Sequence, residues 1–254
     1  MSGFVRSSMS TVRLIIDRGT GPINMAVDEA LLLSAPRSGP TLRFYQWEQP
    51  TLSLGYFQSA DDRFQHEASS DCPIVRRSTG GGSILHDQEL TYSFVMPVSQ
   101  QDKSAAQPLY YAFHETLVQA LAQRNVVATL VLQQPLQQIG QVEPFLCFKR
   151  HSVGDVLIAG SKICGSAQRR QKEALLQHGS VLLRRSRFAP DLPGIADLAV
   201  TSISAEELAE VWLPLLEGRL NIHFQAGSLN PVEQSTAQRL AEDRFGADSW
   251  SLRR

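Results

Sequence analysis

Long apolar runs, a marked charge of either sign and closely spaced cysteines are all missing from this 254-residue chain. A membrane-spanning helix needs about 18 consecutive apolar residues, and no segment of that kind occurs. The formal net charge of -1 argues against the dense positive surface that nucleic-acid binders use. We therefore expect a protein that binds neither membranes nor nucleic acids.

The chain has only three cysteines, Cys72, Cys147 and Cys164, so they cannot all pair internally. Residues 1–10 lack the apolar core of a secretory signal, and we expect reduced thiols in a cytoplasmic protein. The spacings C-x-x-C and H-E-x-x-H are also absent, which predicts no metal site. The glycine run at 80–82 fits neither nucleotide-binding pattern, G-x-x-x-x-G-K-[ST] or G-x-G-x-x-G.

What is present indicates an ordinary globular protein. Hydrophobic residues make up 43% of the chain and charged residues 19%, which suffices for a sizeable core. We expect a flexible N-terminus over residues 1–10 and a single domain over 11–254.

Helices are predicted from apolar residues at helical spacing. Pro22 and the apolar positions that follow it indicate an early helix, and apolar residues four apart indicate another over 108–124. Two capping boxes begin later helices, at Ser204 with Glu207 and at Asn230 with Glu233. Gly246 is expected to end the last helix.

Strands are predicted where short β-branched or aromatic segments lie between turn formers. They include 42–47, 51–54, 74–76, 90–95, 155–158, 161–168 and 180–183. The stretch from Gln133 to Gln141 has no period and predicts a loop. About nine strands and four helices joined by hairpin-length links favour an α+β fold with a mixed, largely antiparallel sheet and packed helices.

Cys147 is the first candidate nucleophile. Lys149, Arg150 and His151 follow within four residues, and such an electropositive setting favours the reactive thiolate. A buried, inert cysteine explains the same local sequence equally well.

Lys162 lies within a predicted strand. The two-residue alternation of a strand puts its side chain on one face with Cys164, Ser166 and Gln168, so Cys164 is a rival nucleophile. The alternative is a solvated outer face on which Lys162 is an edge charge.

The three glycines at 80–82 allow positive φ, so that backbone N–H groups there can point at a carbonyl or carboxylate oxygen. Arg76 and Arg77 precede them in a strand and point to opposite faces, so at most one serves a site. His86 is a general base, an orienting donor or a turn histidine. His178, at the start of a predicted strand, is typical of a structural histidine.

Several motifs together resemble the biotin/lipoate protein ligase family, and within it the LipM-type octanoyltransferases. They are Asn24 to Leu31, Pro50 to Gln58, Arg76 to Ser93, Cys147 to Gln168 and Gln177 to Ser180. Residues 89–93 are similar to the transferase pattern. Leu175 occupies the position where LipB-type transferases carry their cysteine, and the short segment after Trp250 leads us to expect no accessory C-terminal domain.

The resemblance implies that residues 11–254 form one catalytic domain with the fold of this family, and it also implies an activity and a set of site residues. The activity is transfer of an octanoyl or lipoyl group from acyl carrier protein to a lysine of a lipoyl domain such as glycine cleavage protein H, by a monomer without a cofactor. Cys147 would accept the acyl group and Lys162 would bind it. The implied substrate-binding residues are Arg77, Ser78, Thr79, Gly80, Gly81, Gly82, His86, Gly165, Ser166 and Ala167.

Two departures from the LipM-type pattern keep other activities open. Gly82 stands where these members often have arginine and ligases often have glycine, and 149–151 replaces a less basic stretch. The alternatives are an ATP-dependent lipoate or octanoate ligase, an amidotransferase between lipoyl domains, and a binding module without catalysis.

Overall fold

The computed structural model describes residues 9–101, 104–133 and 143–253. The strands are β1 (Ser10–Gly19), β2 (Thr41–Trp47), β3 (Thr51–Leu54), β4 (Ile74–Arg76), β5 (Ile84–His86), β6 (Glu89–Pro97), β7 (Thr129–Leu130), β8 (Val156–Ile158), β9 (Ser161–Gln171), β10 (Ala174–Leu182) and β11 (Ile222–Ala226). The helices are α1 (Gly21–Ser38), α2 (Ala106–Ala122), α3 (Ile195–Leu198), α4 (Ala205–Leu220), α5 (Pro231–Leu240) and α6 (Asp248–Ser251). None of these helices is long and apolar enough to cross a membrane.

The strands form two sheets. The larger has eight strands in the order β11-β1-β2-β6-β10-β9-β8-β7, and the smaller has three in the order β4-β3-β5. In the larger sheet β1 runs parallel to β2 and β11, and every other neighbouring pair is antiparallel. The predicted mixed, largely antiparallel sheet with packed helices is confirmed.

Helices cover both faces of the larger sheet because its central strands alternate apolar residues between two cores. Leu42 and Phe44 of β2 pack with α2 and α4, whereas Tyr45 and Trp47 pack with α1 and α5. Trp212 of α4 is fully buried, and its ring lies 5.7 Å from that of Phe44. The same alternation aims the polar residues of β2 and β6 at α1.

The helix predictions hold except at the C-terminal end. Both capping boxes are present, with the Ser204 and Asn230 side chains accepting from the N–H groups of Glu207 and Glu233. The last long helical run ends at Gly246 as expected, after one π-helical turn, but α6 follows it. Gly246 is therefore not the end of the last helix.

The predicted strands all occur, with shifts at their ends. β10 begins at Ala174, six residues before the expected start, because its apolar and polar residues are buried on both faces and show no alternation. Ala159 and Gly160, at φ +47° and +81°, make the two-residue turn between β8 and β9. Most of the predicted loop from Gln133 to Gln141, and residues 1–8, lie outside the described residues.

Candidate active site

A cavity of about 320 Å³ lies against the larger sheet. Its walls come from β2, β6, β9 and β10, from the small sheet at Ile84 and His86, from Met25 of α1, and from segments 80–82 and 143–152. This volume is at the lower end of the range for small-molecule sites, which suits one compact or slender ligand.

Cys147 is on this wall, in one turn of 3₁₀ helix that begins at Cys147 itself. Its N–H donates to the carbonyl of Ser83 at 2.7 Å, and the N–H of Ser83 donates to the carbonyl of Phe145 at 3.0 Å. These bonds join residues 145–147 to Ser83, which directly follows the three glycines at 80–82 (the glycine loop). The thiol is half-buried, and among the described residues it is the one cysteine that lines the cavity.

Lys162 faces the thiol from β9. Its Nζ lies 3.8 Å from Cys147 Sγ and 2.8 Å from Asp155 Oδ2, and both charged side chains are buried. Asp155 is itself fixed, because it accepts the N–H of Ser152 at 2.7 Å and the hydroxyl of Tyr110 at 3.2 Å. The carboxylate holds the ammonium beside the sulfur, where it can donate to a further acceptor.

A β-bulge in β9 turns the Lys162 side chain toward the cavity. Because of this bulge, the prediction that Lys162 shares a strand face with Cys164 is wrong. Val156 and Leu157 of β8 are adjacent, but they pair with Cys164 and Lys162, so Ile163 is an extra residue. Ile163 and Cys164 both enter the core beneath α2, whereas Lys162 lies on the cavity wall. Lys162 therefore does not share a face with Cys164.

Cys164 is not placed to be the nucleophile. It is fully buried in the α2 core, and its Sγ lies 4.0 Å from Nε2 of His114. Burial, reinforced by the nearby Asp155 charge, raises the pKa of the Cys164 thiol. A buried protonated thiol is inert, which removes the rival that strand alternation suggested.

The glycine loop presents backbone to the cavity. Gly80, Gly81 and Gly82 all line it, and Gly81 has φ +93°, which favours glycine. Within the described parts of the chain, the N–H groups of these three residues have no hydrogen-bond acceptor. They are free to donate to a ligand oxygen.

Arg77 holds this loop from behind. Its Nη2 donates to the carbonyls of Gly80 at 3.2 Å and Gly82 at 2.8 Å, and its Nη1 donates to the carbonyl and hydroxyl of Ser53, each at 2.7 Å. Burial lowers the pKa of Arg77 to about 10, so the guanidinium remains charged at neutral pH. Arg77 borders the cavity. The substrate-binding role that the family resemblance implies for it stays a prediction.

Arg76 points to the opposite face, as strand alternation predicts, and it is not among the residues that line the cavity. Its guanidinium donates to the carbonyls of Gly55 and Gln58 and to those of Trp250, Ser251 and Arg253. It therefore fastens the C-terminal segment to β4 and the loop that follows β3.

Ser78 and Thr79 are placed behind the cavity wall and are not among its lining residues. Thr79 Oγ1 bonds Nε2 of His178 at 2.7 Å, and the Ser78 carbonyl accepts from Arg169. His178 lies inside β10, borders the cavity, and bonds Asp28 Oδ2 through Nδ1 at 3.2 Å. It is thus a structural histidine, as expected, and also a wall residue, which was not expected.

His86 is a wall residue whose two ring nitrogens are both engaged. Its ring stacks on Trp47 at 3.8 Å, and Nδ1 lies 2.5 Å from Glu89 Oε1. Because that carboxylate oxygen accepts the Nδ1 proton, Nε2 accepts the hydroxyl of Ser53 at 2.7 Å. Burial lowers the pKa of His86 against the opposing Glu89 charge, and this favours the neutral ring.

Asp28 of α1 is a buried centre that the sequence patterns did not reveal. It accepts from Arg43 at 3.1 Å, Tyr45 at 3.0 Å, Ser93 at 2.7 Å and His178. Burial acts to raise the pKa of Asp28, but His178 and Arg43 outweigh it and the pKa is lowered. The available signal was a polar residue within the apolar stripe of α1.

The predicted residues of β9 lie together at the cavity. Gly165, Ser166 and Ala167 all border it. A Cβ at Gly165 would come within 2.5 Å of Lys162 Cε, so glycine leaves the space through which the lysine side chain passes. The Ser166 hydroxyl is occupied by Tyr92 at 2.5 Å and His114 at 2.6 Å.

The basic residues after Cys147 are placed differently from one another. Arg150 and His151 border the cavity, and Arg150 packs against Gly82 and pairs with Glu143. Lys149 instead pairs with Asp191 outside the cavity. Across 9–101, 104–133 and 143–253, no cluster of three His, Cys, Asp or Glu side chains is arranged for a metal ion.

Residues 21–189, which include all of these site residues, match the lipoyl protein ligase A/B catalytic domain. The chain belongs to this family. A lipoyl protein ligase A/B relative from Kyrpidia tusciae, octanoyltransferase LipM, is 34% identical over 97% of this chain and 100% of the relative. Octanoyltransferase LipM of Bacillus subtilis is 30% identical over 96% of this chain and 99% of the relative. The expected family and the enzyme class, an octanoyltransferase, are confirmed.

Two solved structures share the fold of this chain. The T. acidophilum protein Ta0514, solved with bound lipoic acid, has a TM-score of 0.77 at 21% identity over 96% of this chain and 100% of that one. Lipoate-protein ligase A bound with ATP has a TM-score of 0.75 at 21% identity, and the match covers 96% of this chain and 99% of that one.

Proposed function

We propose that this octanoyltransferase takes an octanoyl group from a thioester on acyl carrier protein, holds it on Cys147, and passes it to a lysine of a lipoyl domain in lipoate biosynthesis. The observation that carries the proposal is the position of Lys162 Nζ, 3.8 Å from Cys147 Sγ on the wall of one cavity. Octanoyl transfer is the activity for which the LipM relatives are named.

In the first half-reaction the Cys147 thiolate attacks the thioester carbonyl. A new C–S bond forms, the bond to the carrier sulfur breaks, and the carrier thiol leaves with the proton that Cys147 gave up. Negative charge develops on the carbonyl oxygen before that bond breaks. The Lys162 ammonium lies beside the sulfur and is the charged donor for this oxygen.

The glycine loop supplies neutral donors for the same oxygen. Gly80, Gly81 and Gly82 line the cavity, and within the described chain their N–H groups have no acceptor of their own. Arg77 fixes the carbonyls of Gly80 and Gly82, so these donors are already oriented before substrate arrives. Such preorganised donors each contribute on the order of a hundredfold in rate.

In the second half-reaction the acceptor lysine amine attacks the acyl-cysteine carbonyl. A C–N bond forms, the C–S bond breaks, and Cys147 leaves as a thiolate next to the Lys162 ammonium. The amine loses one proton to solvent as the amide forms. Because a thioester is already activated, neither step consumes ATP.

The acyl-enzyme is tested by weighing the intact protein after a single turnover with octanoyl-carrier protein. Wild type and Cys164→Ser should gain one octanoyl group, and Cys147→Ser should gain none. Adding a lipoyl domain should then remove the group and leave an octanoyl amide on that domain. Modification of the lipoyl domain at the wild-type rate by Cys147→Ser contradicts the proposal.

The donor is tested by supplying octanoyl-carrier protein, an octanoylated lipoyl domain, or free octanoate with ATP to the same enzyme. We expect transfer from the carrier thioester without ATP. Conversion of ATP to AMP that depends on free octanoate indicates a ligase instead. Transfer only from the octanoylated domain indicates amidotransfer, which uses the same thiol.

A further inference from the structure

A row of four residues crosses the larger sheet beneath the cavity. Gly165 of β9 pairs with Ser180 of β10, Ser180 pairs with Thr91 of β6, and Thr91 pairs with Tyr45 of β2. All four line the cavity. Neighbouring strands lie 4.7–4.9 Å apart, so this cross-strand row extends for about 14 Å at right angles to the strands.

The polar atoms of the cross-strand row are already engaged by buried carboxylates. Thr91 and Ser180 donate to Glu89 Oε1 at 2.5 Å and 3.1 Å, and Tyr45 donates to Asp28 Oδ2 at 3.0 Å. These hydroxyl protons therefore do not require a polar ligand. What the row offers a ligand is the methyl group of Thr91, the methylene of Ser180 and the ring of Tyr45.

The reactive sulfur lies at the Gly165 end of the row. Lys162 Nζ lies 2.7 Å from the position that a Cβ on Gly165 would occupy, and 3.8 Å from Cys147 Sγ. An acyl group on Cys147 therefore begins above Gly165. From Gly165 to Thr91 are two strand spacings, about 10 Å, which is the length of an extended eight-carbon chain.

Tyr45 lies one strand beyond Thr91, at the far end of the cross-strand row, and its side chain is rigidly held. It is 1% exposed, its hydroxyl is bonded to Asp28, and the Arg43 guanidinium lies 4.0 Å from its ring centroid. The Trp47 ring centroid lies 6.2 Å away on the same face of β2. A longer chain cannot be accommodated here by a simple rotation of the ring.

We infer that the cross-strand row measures the acyl chain, with Ser180 beneath its middle, Thr91 beneath its end and Tyr45 as the wall that limits it to about eight carbons. This inference rests on the proposed function, because it takes Cys147 as the point of attachment. Specificity then depends on side-chain volume at three positions of the sheet.

The test uses one variant that fills the row and one that opens it. Ser180→Leu should block the cavity beneath the middle of the acyl chain, and Tyr45→Ala should lengthen the cavity at its far end. Val181→Leu is the matched control, since Val181 adjoins Ser180 but is buried in the α2 core. Each protein receives an equimolar mixture of butanoyl-, octanoyl- and dodecanoyl-carrier protein, and the adducts on Cys147 are weighed.

Ser180→Leu should raise the butanoyl-to-octanoyl ratio by at least about tenfold, because two or more methylenes lose their burial. Tyr45→Ala should raise the dodecanoyl-to-octanoyl ratio by a similar factor. Val181→Leu should keep the wild-type profile. Thermal stabilisation by free octanoate and dodecanoate reports the same preference without any transfer.

The outcomes separate the two ideas. Acyl adducts on every protein with one unchanged chain-length profile overturn the row as a measure of length and leave the proposed function standing. Absence of any adduct on wild type overturns the proposed function instead. If Tyr45→Ala does not fold, an unchanged profile of Ser180→Leu alone is sufficient to overturn the inference.

Discussion

The ammonium of Lys162 and the carboxylate of Asp155 are 2.8 Å apart, and both are withdrawn from solvent at the edge of the cavity. Their pairing gives each residue two roles. Lys162 neutralises a buried carboxylate and also faces the Cys147 thiol, while Asp155 sets where the ammonium points.

The contributions of Lys162 to the free energy of unfolding and to the acylation rate can therefore be separated by substituting Lys162 and Asp155. Lys162→Met leaves Asp155 as an uncompensated buried charge, and we expect the free energy of unfolding to fall by about 3–5 kcal/mol. Adding Asp155→Asn should recover most of that loss. Single-turnover acylation of the double variant should remain about a hundredfold slower than that of wild type. Urea denaturation and intact-mass kinetics measure the two effects, and recovery of both together would contradict the role of Lys162.

Arg77→Lys should impair the site more than the fold. A lysine keeps the charge but cannot bond Ser53 and two loop carbonyls at once, so acylation should slow by about tenfold or more. Arg76→Lys is the comparison, since the Arg76 guanidinium donates to backbone carbonyls on the opposite face and does not line the cavity. It should lower the melting temperature and leave the acylation rate of the folded protein unchanged. Equal rates in the two variants would show that Arg77 does not orient the loop.

Thiol accessibility gives a prediction that needs no substrate. Iodoacetamide should add one group to the native protein, at Cys147, because Cys72 is 6% exposed and Cys164 is fully buried. All three thiols should react in denaturant. Cys147→Ser should gain no group in the native state, and prior octanoylation should protect wild type. A native adduct located on Cys164 by peptide mapping would be the adverse result.

His114 makes stability depend on pH. Burial lowers its pKa to about 4 while the unfolded value stays near 6.5, so the unfolded chain binds more protons between these limits. The free energy of unfolding should therefore fall as the pH falls from 6.5 to 4, with His114 accounting for about 3 kcal/mol. His114→Gln should flatten that slope in urea titrations.

Local features of the site could be predicted from the sequence. The glycine loop follows from the backbone freedom of three consecutive glycines, and the opposite directions of Arg76 and Arg77 follow from strand alternation. The helix starts at Ser204 and Asn230 follow from capping chemistry. Each of these depends only on residues within a few positions.

Other features could not be predicted because they depend on register or on contacts between distant residues. The bulge at Ile163 is one extra residue and leaves no periodic signal in the sequence. Asp155 meets Lys162 only through the pairing of β8 with β9. Asp28 and His178 are 150 residues apart, and nothing local to either indicates the other.

The bulge at Ile163 also bears on how related sequences can differ in length. Residues three apart in a regular strand face opposite sides, yet Lys162 and Gly165 both reach the cavity because Ile163 is supernumerary. A homologue that lacks this residue would return to strict alternation and still present its amine to the ligand. Single-residue insertions and deletions among homologues should therefore be tolerated at position 163, and alignments of this strand should carry their gap there.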